Sequence, residues 1–205
     1  SINANFSRIL DNALLEMMKR RHLSLDRVKW EGIIRIRELP FETEEEYRYW
    51  WLPEKNSGGK VIHQSRMSER EKERYQVKEA HNLITSLGRT QLLTFAGSNT
   101  TTAAFSQYFS VGTFPINSVQ PGDTIVNGEL ARYVPSAFTV TGNTVDVSTF
   151  FGTSQGNGTL TNCGLFGNGA SGTLGTGQLQ THALLNGYVK TNLITTSFDY
   201  IIVLQ

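Results

Sequence analysis

The chain has 205 residues, with 19 Lys and Arg against 18 Asp and Glu, and a single cysteine, Cys163. A formal net charge of +1 gives no global field to attract nucleic acid or an anionic membrane, and one thiol forms no internal disulfide. No apolar run approaches the ~18 residues of a membrane-spanning helix, and SINANFSRILDNALLEMMKRR carries charges through its apolar part, unlike a secretory leader; the expectation is a soluble protein made in a cytoplasm.

Phe6, Ile9, Leu10, Ala13, Leu14, Met17 and Met18 recur at helical spacing, which predicts an amphipathic helix from about residue 5 to 21 with Lys19, Arg20 and Arg21 at its C-terminal end. GIIRIREL (32–39) alternates as a short strand that Pro40 stops. Thr43 and Glu46 form a capping-box pattern ahead of Tyr47, Trp50 and Trp51. Pro53 and the Ser-Gly-Gly at 57–59 break the chain again, and Ser68 with Glu71 opens a second predicted helix, from about 69 to 80, that is polar nearly all round.

The composition changes near residue 80. Of the 37 charged residues, 30 lie before it, and 16 of the 19 glycines lie after it. The first segment (1–80) therefore reads as a charged helical docking arm with too little core to stand alone, and residues 81–205 as a Gly/Thr-rich β-domain. The expected class is α+β: a helical, partly extended N-terminal arm, then a mainly antiparallel β-sandwich or barrel-like domain with one packed helix. The arm's candidate docking residues are Phe6, Ile9, Leu10, Leu14, Met17, Met18, Tyr47, Trp50 and Trp51.

HNLITSLGRTQLLTFAG (81–97) places Ile84, Leu87, Leu92 and Phe95 near one side of a helix that Gly97 caps. Beyond it the period falls to two. Phe138 and Val140 face Val145 and Val147 across a turn at Gly142-Asn143, and further strands are predicted at 104–112, 158–167, 177–186 and 195–205. Inside the glycine-rich stretch, residues 167–172 match G-x-G-x-x-G, the pattern of a phosphate-binding loop. A strand pattern follows it, rather than the helix whose N-terminus takes the phosphate, and no acidic residue lies about 20 positions on, so the stretch reads as a hairpin tip.

His22, His63, His81 and His182 show no metal-ligand spacing, and Cys163 reads as a small buried apolar side chain. Asp123, Glu129, Asp146 and Asp199 are the carboxylates of the second segment, and their spacing favours no catalytic pair. No cofactor, metal or catalytic residue is expected. Trp50-Trp51 reads as a packing anchor, and Tyr108, Tyr133 and Tyr188 offer rings on which a sugar could stack.

Several short motifs recur in order through the second segment: Asn82-Leu83-Ile84-Thr85-Ser86-Leu87-Gly88-Arg89, Val111-Gly112-Thr113, Gly122-Asp123-Thr124, Gly128-Glu129-Leu130-Ala131-Arg132, Leu160-Thr161-Asn162-Cys163-Gly164-Leu165-Phe166, Ser171-Gly172-Thr173-Leu174, and a closing strand after Thr195-Thr196-Ser197. Over residues 82–205 this set resembles a class of tailed-bacteriophage virion proteins encoded among tail, fibre, baseplate or head accessory genes. The resemblance implies a non-enzymatic virion structural protein, assembled in the host cytoplasm, whose partners are other virion proteins and further copies of itself. A capsid decoration or head-fibre protein, or a module that binds host surface glycan, is the alternative; nucleic acid and membrane are not expected partners. Residues 1–80 have no counterpart in it.

Overall fold

The computed structural model describes residues 30–57, 60–97 and 106–204. The helix expected at 5–21, with Phe6, Ile9, Leu10, Leu14, Met17 and Met18, lies outside the described residues.

The strand expected at 32–39 is β1 (Trp30–Leu39). Its alternation puts Ile34 and Ile36 into the core, fully buried, and Arg35 and Arg37 on the opposite face. The Thr43 capping box forms as its pattern requires. Thr43 Oγ1 accepts from the Glu46 N–H at 3.2 Å and Glu46 reaches back to the Thr43 N–H, opening α1 (Glu44–Trp51). A two-stranded hairpin, β2 (Glu54–Lys55) with β3 (Val61–His63), follows.

The second helix is shorter than expected. α2 (Glu69–Glu73) opens on the Ser68–Glu71 box and ends after five residues, and the chain then enters β4 (Gln76–Ile84). The sequence QVKEAHNLI alternates with period two, and its charged members, Lys78 half-buried and Glu79 exposed, lie opposite β1. Pairing with β1 on one side supplies a hydrogen-bond ladder that outweighs the local helical preference of Lys, Glu and Ala. The helix expected at 81–97 loses its first residues to the same strand and runs as α3 (Ser86–Gly97). Thr85 caps it, its Oγ1 accepting from the Gly88 N–H at 3.0 Å. Gly88 lies so close to Gln180 that a Cβ there would stand 2.0 Å from the Gln180 carbonyl oxygen.

The remaining strands are β5 (Tyr108–Gly112), β6 (Glu129–Tyr133), β7 (Ala137–Thr141), β8 (Thr144–Phe151), β9 (Gly158–Gly167), β10 (Gln178–Lys190) and β11 (Thr195–Leu204). Among the described residues, nine strands make one antiparallel sheet in the order β6-β5-β9-β10-β4-β1-β11-β8-β7. The predicted hairpin appears as β7–β8, with Phe138 opposite Val147 and Val140 opposite Val145.

The sheet curls until its two edges approach. Only residues 134–136 separate β6 from β7, and three residues reach at most ~14 Å. Rings from distant strands meet inside: Tyr133 of β6 against Phe151 of β8 at 4.7 Å, and Phe109 of β5 against Phe198 of β11 at 5.1 Å. The curl is eased at one seam, where β10 and β4 share only three pairs, Thr181–Ile84, His182–Leu83 and Ala183–Asn82. The result is a curled, mostly antiparallel sheet wrapped around one hydrophobic core.

The expected division after residue 80 falls inside β4. β1 and β4, both drawn largely from the charged segment, occupy the middle of the sheet. Among the described residues, then, the compositional break does not mark a structural one. Residues 40–57 and 60–75 lie over the outer face, where Tyr47, Trp51 and Leu52 pack with Phe150 of β8. The charge of this segment is consistent with that role, because alternate residues of a sheet strand and one side of a short helix remain in water.

Candidate functional site

The glycine-rich loop holds an anion, but one that belongs to the chain. Residues 168–177 join β9 to β10, so a strand follows the glycines. Glu129 Oε2 accepts from the Gly175 N–H at 2.7 Å, while Arg132 Nη1 donates to the carbonyls of Thr176 at 2.8 Å and Ser171 at 3.2 Å. The two charges are also paired with each other, and the Arg132 guanidinium lies 4.4 Å from the centre of the Phe166 ring. Gly177 has φ +76°, and a Cβ there would stand 2.5 Å from Ala170. The loop is a hairpin tip fastened to β6, as its sequence context implied.

His182 is not a sheet-surface residue. It is 1% exposed, with Nδ1 2.6 Å from Asp123 Oδ2 and Nε2 3.1 Å from Asn162 Oδ1. Backbone groups fix the Asn162 amide: its oxygen accepts from the Asn127 N–H, and its nitrogen donates to the carbonyls of Asn127 and Phe114. The oxygen facing Nε2 is thus an acceptor, and Nε2 carries a proton. Burial lowers the imidazole's pKa, and the Asp123 carboxylate opposes that shift. This group ties the long β5–β6 connection to β9 and β10. It has the His–carboxylate half of a hydrolytic triad, but the second nitrogen is taken by an amide, and among the described residues no hydroxyl or thiol is bonded to it.

The outer face under α1 carries the densest polar cluster. Arg37 of β1 pairs with Asp199 of β11, both buried, and the guanidinium stands 5.5 Å from the Trp51 ring centre. Lys72 Nζ stands at the same distance from that ring. On β8, Ser148 lies opposite Asp199, and Asp146 lies two residues further along. Burial lifts the Asp146 carboxyl to about 6 from an ordinary 3.8, against the pull of Arg37, Lys72 and Arg35. It also raises the Tyr47 phenol far above its usual range. A buried carboxyl with a raised pKa is an ingredient of acid–base chemistry. Here, however, Trp51 at 3% exposure and Lys72 at 8% roof the cluster, so its groups face each other rather than a substrate.

The Asp146 shift has a measurable consequence. Between the ordinary carboxyl value and about 6, the folded state holds a proton that the unfolded chain has released, so this group's contribution to stability falls as pH rises across that interval. Asp146→Asn is expected to stabilise the fold at pH 7 by about 1–3 kcal/mol and to change little at pH 4. Urea unfolding at the two pH values checks this, and an unchanged midpoint at pH 7 would refute it.

Lys190 forms a third buried site. Its ammonium donates to the Gly152 carbonyl at 2.7 Å, the Ile194 carbonyl at 3.0 Å and Asn157 Oδ1 at 3.1 Å, joining the β8–β9 and β10–β11 turns. Burial lowers its pKa to about 8, yet all three N–H donors are satisfied.

Of the docking residues expected from sequence, Tyr47 and Trp51 are buried within the chain itself. Tyr47 stacks on Phe150 at 5.4 Å and Trp51 meets Phe41 edge-on at 6.2 Å. They serve as internal anchors. Trp50 is 45% exposed beside Tyr49 at 53%, the two rings 5.1 Å apart and perpendicular. This pair is rigidly presented: Arg66 lies over Tyr49 and bonds its carbonyl, and Ser65 and Met67 bond the Trp50 carbonyl. Tyr188 is buried, Tyr133 turns inward onto Phe151, and Tyr108 packs against the small cluster of Val126, Phe166 and Leu179. Cys163 is fully buried, its thiol pushed well up in pKa by desolvation. Among the described residues no group of three His, Cys, Asp or Glu side chains is placed to hold a metal ion, and no helix is long and apolar enough to cross a membrane.

Sequence reading had no access to the His182–Asp123–Asn162, Arg37–Asp199 and Lys190 groups, because their members lie tens of residues apart. The one local signal was an ionisable residue placed on a strand's apolar alternation. No family model, no curated protein and no solved structure matches this chain.

Proposed function

We propose that this chain is a non-enzymatic structural protein of a tailed-bacteriophage particle, bound to neighbouring tail, baseplate or head proteins and presenting its β-sheet domain on the particle. The observation that supports this reading is where the ionisable groups of the sheet are used. Arg37, Asp199, Glu129, Arg132, His182 and Lys190 all bond to the chain's own side chains or backbone, and each group fastens a loop or a cap. Asp123, Glu129, Arg132, Asn162 and Ser171 are also members of the motifs that carry the resemblance. Those motifs thus coincide with fold-fastening contacts rather than with a reactive centre.

Docking belongs on this reading to the exposed Tyr49–Trp50 end of α1 and to the apolar-patterned stretch 5–21, and no longer to Tyr47 and Trp51. Mass spectrometry of purified particles from an infected culture, with antibody labelling, tests it. The protein is expected in the particle at fixed stoichiometry: few copies if it belongs to the tail, a number matching the capsid subunits if it decorates the head. Its absence from particles would end the proposal. A second reading, a module for host surface glycan, rests on the same exposed Tyr49–Trp50 pair, whose faces suit the C–H side of a sugar. A glycan array with a Trp50→Ala control separates the two.

A further inference from the structure

Four Asn-Gly dipeptides occur in the chain: Asn127-Gly128, Asn157-Gly158, Asn168-Gly169 and Asn186-Gly187. At such a pair an asparagine readily loses its side-chain nitrogen, because the following glycine has no Cβ to crowd its own backbone nitrogen. That nitrogen, once deprotonated, attacks Asn Cγ. A C–N bond forms, ammonia leaves, and water opens the resulting succinimide ring. Opening at one carbonyl gives aspartate, and at the other isoaspartate, whose main chain runs through Cβ. The step needs only water, a side chain free to turn and a backbone nitrogen free to approach it. By local sequence the four sites are equivalent; in the fold they are not.

Three of them are restrained. The Asn157 amide is held at both ends, its oxygen accepting from Lys190 Nζ at 3.1 Å and its nitrogen donating to the Thr153 carbonyl at 2.8 Å. Asn168 Nδ2 donates to Gln178 Oε1 at 3.0 Å, in a loop that Glu129 and Arg132 tie down. The backbone around Asn127 is clamped. Its N–H and carbonyl bond the Asn162 amide, the Gly128 carbonyl accepts from the Thr113 N–H at 3.1 Å, and a Cβ on Gly128 would stand 2.5 Å from the Phe114 ring.

Asn186-Gly187 differs in each respect. Both residues are exposed, and both have positive φ, +47° and +72°. They lie in a bulge where β10 slips its register on β9: pairing stops at Leu184–Asn162 and resumes at Tyr188–Leu160. On the other side β10 pairs with β4 only through Ala183. The Gly187 nitrogen therefore lies outside the register of both ladders. Among the described residues the Asn186 amide bonds to nothing, and only its carbonyl is engaged, by Lys78 Nζ at 3.2 Å. A Cβ at Gly187 would meet nothing nearer than the Thr159 methyl at 3.8 Å, so the space around it is open.

We propose that Asn186 is a site of spontaneous covalent modification, converted to aspartate and isoaspartate through attack by the Gly187 nitrogen, while the fold protects the other three Asn-Gly pairs. The conversion sets a carboxylate close to the Lys78 ammonium and removes one unit from the formal net charge of +1. In the isoaspartate form it also lengthens the main chain of β10 just past the seam with β4. The inference is independent of the particle reading, since it is measured on the purified chain.

The test is incubation of the full chain at mildly alkaline pH, native in one arm and unfolded in guanidinium in the other, with timed samples sequenced by mass spectrometry. In the native arm residue 186 is expected to react at least about fivefold faster than 127, 157 or 168, the factor that one retained side-chain hydrogen bond corresponds to. In guanidinium the four rates are expected to draw together, because glycine follows each asparagine. A native reaction led by any of the other three sites would overturn the proposal. So would the same ranking in both arms, or a native chain that keeps its amide at 186 over the time in which the unfolded chain reacts at all four.

Discussion

Trp51→Ala is expected to destabilise the entire fold by about 3–5 kcal/mol, while Trp50→Ala stays within about 0.5 kcal/mol. The two residues are adjacent and chemically identical; what differs is the side of α1 on which each lies. Trp51 is 3% exposed, packs against Phe41, Tyr47 and Tyr75, and has the cations of Arg37 and Lys72 against its ring. Its removal leaves a cavity under α1 and takes an aromatic face from two ammonium- and guanidinium-bearing side chains that cannot return to water without undoing the cap. Trp50 has its neighbour Tyr49 and solvent. Chemical denaturation of both variants measures the difference. Equal, small losses would mean that residues 40–75 are a detachable appendage; a large loss for Trp51→Ala in a single cooperative transition means they belong to the sheet domain.

A loss of similar size is expected from Arg37→Met, again about 3–5 kcal/mol, because the change strands the Asp199 carboxylate in the interior. Asp199 can find little relief nearby: Ser197 Oγ donates to it at 3.4 Å, a long bond, and its other oxygen has no partner. The mirror change, Asp199→Leu, strands the guanidinium instead. Replacing both at once removes the desolvation cost of two charges, and the double variant is expected to be much closer to wild type than either single one, with an interaction energy of roughly 2–3 kcal/mol in the cycle. Strict additivity of the two single losses would show that the pair contributes nothing as a pair.

Much of the β-domain was legible because its signals were local. The β7–β8 hairpin was written in Phe138, Val140, Val145 and Val147 around a glycine turn, and both capping boxes formed at Thr43 and Ser68 as their spacing dictates. The segment before residue 85 was misread for a physical reason. Lys78, Glu79 and Ala80 favour a helix when only neighbours in sequence are considered, and the competing partner, β1, starts more than forty residues away. High charge suggests a missing core, yet a strand needs only every second side chain inside, and β1 supplies Ile34 and Ile36 while Arg35 and Arg37 take the other face. The polar clusters were illegible for a similar reason. Arg37 and Asp199 are 162 residues apart, and nothing around either announces the other.

That separation also bears on how the molecule is made. β1 leaves a ribosome well before β11, so their ladder, Trp30 opposite Leu204 through Leu39 opposite Thr195, forms only once a segment 162 residues downstream of Arg37 has been made. Until then β1 has one flank bare, β8 lacks its inner neighbour, and the nascent polypeptide carries an incomplete sheet whose open strands invite wrong pairings. A chain stopped before β11 would lose the strand that holds both in register, so a truncated product is expected to be a substrate for chaperones and proteases rather than a smaller working version of the protein.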